Sequence, residues 1–195
     1  MFKRLFDFTF SFLGLLLIFP LLLLIAIAIK VTSKGSIFYK QVRVGKNNKD
    51  FNIFKFRTMK LNADKQGLLT VGGRDSRITS VGYYLRKYKL DELPQLINVF
   101  IGNMSFVGPR PEVRNYVNYY SENQLKVLKV KPGITDLASI QFRNENELLS
   151  KASDPNQFYI DKIMPKKIEI NLKYLENRSL IKDIIVIFKT FRAIL

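Results

Sequence analysis

Between Asp7 and Lys30 the chain carries no charged residue. As a helix rising about 1.5 Å per residue, Phe8 to Ile29 would be about 33 Å long, enough to reach across the hydrocarbon core of a bilayer. A secretory signal peptide has a shorter apolar region and a small-residue cleavage site. Here Lys30, Lys34, Lys40 and Arg43 follow directly, so the segment reads as membrane-embedded. Either it spans the membrane as a single-pass anchor, or it bends and returns. Pro20, in mid-run, has no N–H for the carbonyl of Leu16, and its ring crowds that turn, which predicts a bend. Basic residues favour the cytoplasmic side, and they stand at both ends: Lys3 and Arg4 before the run, Lys30 to Arg43 after it. The expectation is a re-entrant membrane helix over residues 1–34, with Pro20 at its bend.

The rest of the chain must do its chemistry with few tools. Of 195 residues, 32 are Lys or Arg and 16 are Asp or Glu, giving a net charge of +16, and neither histidine nor cysteine occurs. That excludes a disulfide framework, cysteine zinc sites and a histidine base, leaving carboxylates, lysine, tyrosine and hydroxyls. The positive excess requires an anionic partner: nucleic acid, an anionic lipid surface or a phosphorylated substrate. Asp91-Glu92 is the only adjacent acidic pair in the sequence.

Strand-like alternation from Ser36 to Val44, turn residues Gly45 to Asp50 and a second strand-like run, Phe51 to Met59, predict a β-hairpin. Its two-residue period places Lys55 and Arg57 on one face, either as cations for phosphate oxygens or as a solvated edge. Residues 60–78, with Gly67, Gly72, Gly73, Arg74 and Arg77, read as a loop near the active face. A helix is expected from Thr79 through Tyr88, bringing Arg86 and Lys87 up to the acidic pair.

Leu93, Leu96, Ile97 and Phe100 have the spacing of a buried helical face, with Asp91 as N-cap, Pro94 in the first turn and Gly102 as the stop. Asp91 and Glu92 either cap this helix and nothing more, or use its N-terminal field for phosphate and metal chemistry. Pro109 and Pro111 stiffen the backbone around Arg110, which suits recognition of an anion. A mixed helix is expected from Glu112 towards Val130, and a rigid turn at Lys131 to Thr135. Residues 158–195 read as basic amphipathic helices, broken at Pro165 and near Asn177, that either lie on an anionic membrane or pack on the core.

Several stretches in this order resemble the monotopic phosphoglycosyl transferases, the bacterial sugar transferase family. They are the Pro-interrupted apolar run, Phe54 to Met59, Leu85-Arg86, Leu90 to Val99, Gly102 to Pro111, Lys131 to Thr135 and Arg143-Asn144. The resemblance implies a compact, mostly helical α+β catalytic domain over residues 35–157 with a small hairpin, between the re-entrant helix and surface amphipathic helices over 158–195. It implies a Mg2+-dependent, ping-pong transfer of sugar-1-phosphate from a UDP-sugar to polyprenyl (undecaprenyl) phosphate at the cytoplasmic face of the bacterial inner membrane. The released product is UMP, the lipid product is the first intermediate of a surface glycan, and downstream glycosyltransferases become further partners.

Carried over residue by residue, Asp91 is the nucleophile and a metal ligand, and Glu92 positions the metal or assists the lipid phosphate. Lys55, Arg57, Arg86, Arg110, Pro111 and Arg143 become substrate-binding residues. Two positions depart from the family pattern: Phe19 stands where a serine often precedes the re-entrant proline, and Asp136 where glycine usually follows Ile-Thr. The chain also looks like the minimal catalytic form, without the N-terminal spanning region of larger relatives. The alternative, a membrane-anchored basic module for nucleic acid or anionic lipid, explains the charge but not the acidic pair; the reading with no nucleic-acid partner is preferred.

Overall fold

A computed structural model describes residues 2–63 and 75–194. Gly67, Gly72, Gly73 and Arg74 of the expected loop lie outside the described residues. The chain is mostly helical with two small sheets, as the α+β expectation has it. The apolar run forms α1 (Phe2–Thr32), a single helix of 31 residues with Pro20 inside it. Its length at about 1.5 Å per residue is about 46 Å.

One face of α1 lies against the rest of the molecule along most of this length. Near its start, buried Asp7 accepts hydrogen bonds from Ser105 Oγ (3.1 Å) and the Phe106 amide (3.2 Å), and Arg4 donates to the carbonyls of Val99 and Phe100. Near its end, Ile25 and Ile29 pack with Phe56 and Leu85. Beyond it, Arg57 donates to the carbonyls of Ser33 and Lys34. Both ends of the helix are therefore held by one body. The opposite face leaves Phe2, Leu5, Leu16, Leu17 and Leu24 exposed.

The hairpin forms as expected: β1 (Phe38–Val44) pairs antiparallel with β2 (Asp50–Phe56), Val44 opposite Asp50 and Phe38 opposite Phe56. Asn47 and Asn48 take positive φ in its turn, a conformation asparagine tolerates better than most residues. β2 ends at Phe56, so strand alternation does not govern Arg57, and the shared face expected for Lys55 and Arg57 is not formed. Next, α2 (Ser80–Lys87) is capped by Thr79, whose hydroxyl accepts from the Gly82 amide at 3.0 Å.

A tight turn, Leu90–Glu92, leads to α3 (Gln95–Ile101), which Gly102 ends with φ +94°. Asp91 is not the N-cap of this helix. Lys89 in the left-handed region and Pro94 at the helix start insert a separate turn between α2 and α3, and Asp91 is buried inside that turn.

Two proline-rich turns then stack as a parallel pair, β3 (Ser105–Val107) on β4 (Gly133–Thr135). Gly108 and Gly133 meet backbone to backbone: a β-carbon on Gly133 would fall 2.2 Å from the Gly108 nitrogen. The mixed helix expected over 112–130 breaks up into α4 (Arg114–Val117), a loop and a 3-10 stretch, Gln124–Lys129. Val113, Tyr116 and Val127 from these pieces reach one core, and a straight helix could not turn all of them inward.

The C-terminal third holds α5 (Leu137–Gln141), α6 (Glu145–Ser150), α7 (Pro155–Phe158), α8 (Met164–Glu176) and α9 (Leu180–Ile194). At Pro165 the chain does not break. A widened π turn, Tyr159–Ile163, precedes it, and the proline falls in the first turn of α8, where its missing N–H costs nothing. The break near Asn177 is present between α8 and α9. The two helices differ in what they cover. α8 packs Met164, Ile168 and Tyr174 inward, whereas α9 buries Val186 and leaves Ile181, Ile185, Phe188 and Phe191 exposed.

Candidate active site

Four side chains from three segments converge at the turn between α2 and α3. Lys55, next to the last residue of β2, reaches Glu92 Oε1 at 2.8 Å. Arg110, from the Gly-Pro-Arg-Pro turn after β3, grips both oxygens of Glu92: Nη1 meets Oε2 at 3.2 Å and Nη2 meets Oε1. Asp91 is 8% exposed, and its carboxylate accepts no hydrogen bond among the described residues.

The electrostatics of the two carboxylates diverge. Burial pushes Glu92 up, but the Arg110 and Lys55 cations outweigh it and hold this carboxyl well below the usual carboxylate range. Asp91 goes the other way, raised first by burial and then by the negative charge of Glu92, with Lys55, Arg86 and Lys89 only partly offsetting. Burial lowers Lys55 despite the attraction of Glu92, and Glu92 in turn raises Arg110. One carboxylate is thus saturated with cations while its neighbour has no hydrogen-bond partner among the described residues and is relatively basic.

Scaffolding residues hold this pair in place. Buried Asn98 on α3 accepts from the Phe54 amide (2.9 Å) and donates to the Asn52 carbonyl (2.7 Å), fixing α3 against β2 beside Lys55. Asp136 caps α5 through the Ser139 amide (2.7 Å) and also accepts from the Arg110 backbone amide (3.1 Å), so it orients the turn that carries the guanidinium. Arg43 donates to the Pro111 carbonyl at 3.0 Å, and Glu112 beside it accepts from the Tyr159 hydroxyl. The sequence singles out Asp136 as unusual and passes over Asn98 and Arg43. For Asp136 the Asp-x-x-Ser spacing of an N-cap was a usable signal.

The other expected site residues are distributed differently. Arg86, on the last turn of α2, adds its positive charge to the surroundings of Asp91. Pro111 contributes its carbonyl to Arg43. Arg57 is buried, with its guanidinium on the carbonyls beyond α1. Arg143 is exposed after α5 and makes no ion pair among the described residues. The structure thus gathers Lys55, Arg86, Asp91, Glu92 and Arg110, and holds the Arg57 guanidinium on the carbonyls of Ser33 and Lys34.

Among the described residues no three His, Cys, Asp or Glu side chains gather closely enough to form a metal cage. A hard divalent cation needs less than a cage: it keeps several waters and is held by one or two carboxylates with substrate phosphates. The oxygens of Asp91, without a hydrogen-bond donor among the described residues, suit such an ion.

The whole chain, residues 1–195, matches the sequence model of the family described as Bacterial sugar transferase. It is 41% identical over 193 residues to the UDP-glucose:undecaprenyl-phosphate glucose-1-phosphate transferase of Klebsiella pneumoniae, covering 97% of this chain and 39% of that protein. It is 38% identical to the UDP-N-acetylgalactosamine-undecaprenyl-phosphate N-acetylgalactosaminephosphotransferase of Aeromonas hydrophila, covering 99% of this chain and 43% of that protein. To the Exopolysaccharide production protein ExoY of Rhizobium meliloti it is 35% identical, with 98% and 84% covered. The chain thus spans less than half the length of the first two relatives.

Proposed function

The chain belongs to the bacterial sugar transferase family, and from that premise we propose that it moves a sugar-1-phosphate from a UDP-sugar to undecaprenyl phosphate through a covalent intermediate on Asp91. The observation that carries this reading is the contrast within the acidic pair. Asp91 has no hydrogen-bond partner among the described residues and its carboxyl is raised by burial, while Glu92 is locked between Lys55 and Arg110. The named transferases among the relatives act on UDP-sugars and undecaprenyl phosphate.

In the first step an Asp91 oxygen attacks the β-phosphorus of the UDP-sugar. A bond forms between that oxygen and phosphorus, the bond from phosphorus to the bridging oxygen breaks, and the electron pair leaves with UMP. In the second step an oxygen of the lipid phosphate attacks the same phosphorus and releases the Asp91 carboxylate. Both attacking oxygens are ionised, so neither step needs a strong base, which suits a site without histidine. Glu92 holds Lys55 and Arg110 at the edge of the site, where their remaining N–H groups face the transferring phosphoryl oxygens. Mg2+, held by Asp91 and substrate phosphates, supplies charge neutralisation on the diphosphate when bound.

The fold supports a one-sided membrane placement. Both ends of α1 rest on the catalytic body, which supports putting both on one side of the membrane with the outward apolar faces of α1 and α9 in the lipid. In this reading the helix is re-entrant and the body lies at the cytoplasmic face of the inner membrane. Labels at the N-terminus and at Lys46 are then both modified from that face, whereas labelling from opposite faces means that α1 spans. The reaction itself is tested by incubating purified protein with Mg2+, undecaprenyl phosphate and a panel of UDP-sugars. UMP release by the wild type and none by Asp91→Asn is expected; full turnover by that variant removes the proposal.

A further inference from the structure

A cavity of about 290 Å³ lies between the start of α1, the segment leading into β4 and the junction of α8 with α9. None of Lys55, Asp91, Glu92 or Arg110 lines it. Six cations do: Lys3, Arg4, Lys46, Lys129, Lys131 and Arg178, against two carboxylates, Asp7 and Asp183.

Both carboxylates are already engaged. Asp183 accepts from Lys3 and from the Tyr174 hydroxyl, and Asp7 from Ser105 and the Phe106 amide. Arg4 rests on the carbonyls of Val99 (2.6 Å) and Phe100 (2.7 Å) at the end of α3. Lys46, Lys129, Lys131 and Arg178 make no ion pair among the described residues. Lys131 and Arg4 converge, since a β-carbon on Gly102 would lie 3.3 Å from Lys131 Nζ and 3.0 Å from Arg4 Nη2. Burial, and after it the Arg4 charge, lowers the Lys131 amine.

Ordinary surface cations spread apart into water. Here cations from four separate segments are directed at one cavity, a repulsive arrangement that a polyvalent anion relieves. We propose that the cavity binds a phosphate group, distinct from the substrate phosphates at Asp91. Its source is either the headgroup of an anionic phospholipid or free phosphate. The surroundings favour the lipid. Phe2 (80% exposed) and Leu5 (64%) flank Lys3 and Arg4, Ile181 (72%) and Ile184 flank Asp183, and the Lys3–Asp183 ion pair joins these two apolar faces at the cavity. A headgroup seated there would hold α1 and α9 at one depth in the bilayer.

The test is a lysine-acetylation footprint of the detergent-solubilised full chain, read by mass spectrometry. Probes are short-chain phosphatidylglycerol in one arm and inorganic phosphate in another. Phosphatidylglycerol is expected to slow acetylation of Lys129 and Lys131 severalfold, while Lys151 and Lys173, paired elsewhere with Glu147 and Glu169, react as before. Rising salt should erase the protection. Protection by phosphatidylglycerol alone assigns the lipid source, and equal protection by inorganic phosphate assigns the free ion. Protection by neither overturns the proposal, as does protection of Lys129 that persists in Lys131→Gln/Arg178→Gln. The single variant Arg178→Gln, at an exposed position, serves if the double variant does not fold; it is expected to weaken the protection, and unchanged protection of both lysines overturns the proposal.

Discussion

Two buried carboxylate networks in this molecule are built from similar parts and differ in one respect. In the network that fastens α1, Asp7 and Asp183 both find partners: a hydroxyl and an amide for one, Lys3 and Tyr174 for the other. In the network at the turn between α2 and α3, Glu92 takes two cations and Asp91 accepts no hydrogen bond among the described residues. A buried carboxylate without a partner costs free energy, and of these two networks it is the second that holds one among the described residues. The fastening network is arranged for stability, and the Asp91 network for a charge that has still to meet something.

The sharpest way to break this contrast is to neutralise one carboxylate in each network. Asp91→Asn should lower the rate of UMP release by about 10⁴-fold, as loss of a covalent nucleophile does. The same substitution should raise the thermal midpoint, because burial and Glu92 work against the Asp91 charge. Asp91 binds its proton more tightly in the fold than in the unfolded chain, so its ionisation opposes folding as pH rises above about 3.9. In the metal-free protein the stabilising effect of Asp91→Asn should therefore grow as pH rises above that value, as thermal midpoints measured across pH will show.

Glu92→Gln should do the reverse to stability, leaving Lys55 and Arg110 without their counter-charge at a cost of about 3 kcal/mol in denaturant unfolding. The lowered Glu92 carboxyl contributes stability above about pH 4.3, and that contribution is lost as pH falls through its folded value. Asp183→Asn should also destabilise, by about 2 kcal/mol, through the loss of charged hydrogen bonds to Lys3 and Tyr174. Opposite signs for Asp91→Asn and Asp183→Asn would sharpen the comparison; equal destabilisation would erase it. The smallest effect is expected at Asp136→Ala, about 1 kcal/mol for the lost cap. Release of the Arg110 backbone should raise KM for the UDP-sugar more than it lowers kcat.

How much of this could be read in advance differs along the chain. The apolar run, the hairpin and the Thr79-capped helix follow from local pattern, and local pattern is enough because each is settled by its own residues. Asp91 as a helix cap failed because Lys89 adopts a left-handed conformation that spacing does not reveal, which puts a separate turn before α3. The helix expected over 112–130 failed because tertiary packing drew Tyr116 and Val127 to one core from separate pieces. Arg57 looked like Lys55 in the strand pattern, yet the strand ends between them. The pairing of Glu92 with Arg110, eighteen residues on, rests on the stacked Gly108 and Gly133 turns, a long-range contact for which the sequence shows only the glycines.

On the proposed reading, Asp91 has no hydrogen-bond partner among the described residues because it is there to form a bond. This is tested most directly by mixing the protein with Mg2+ and its UDP-sugar without any lipid acceptor, then measuring intact mass and the site of modification. Up to one equivalent of UMP per protein is expected, with a sugar-phosphate adduct that fragmentation places on Asp91. UMP formation that requires undecaprenyl phosphate from the start, or an adduct on Glu92, would contradict it.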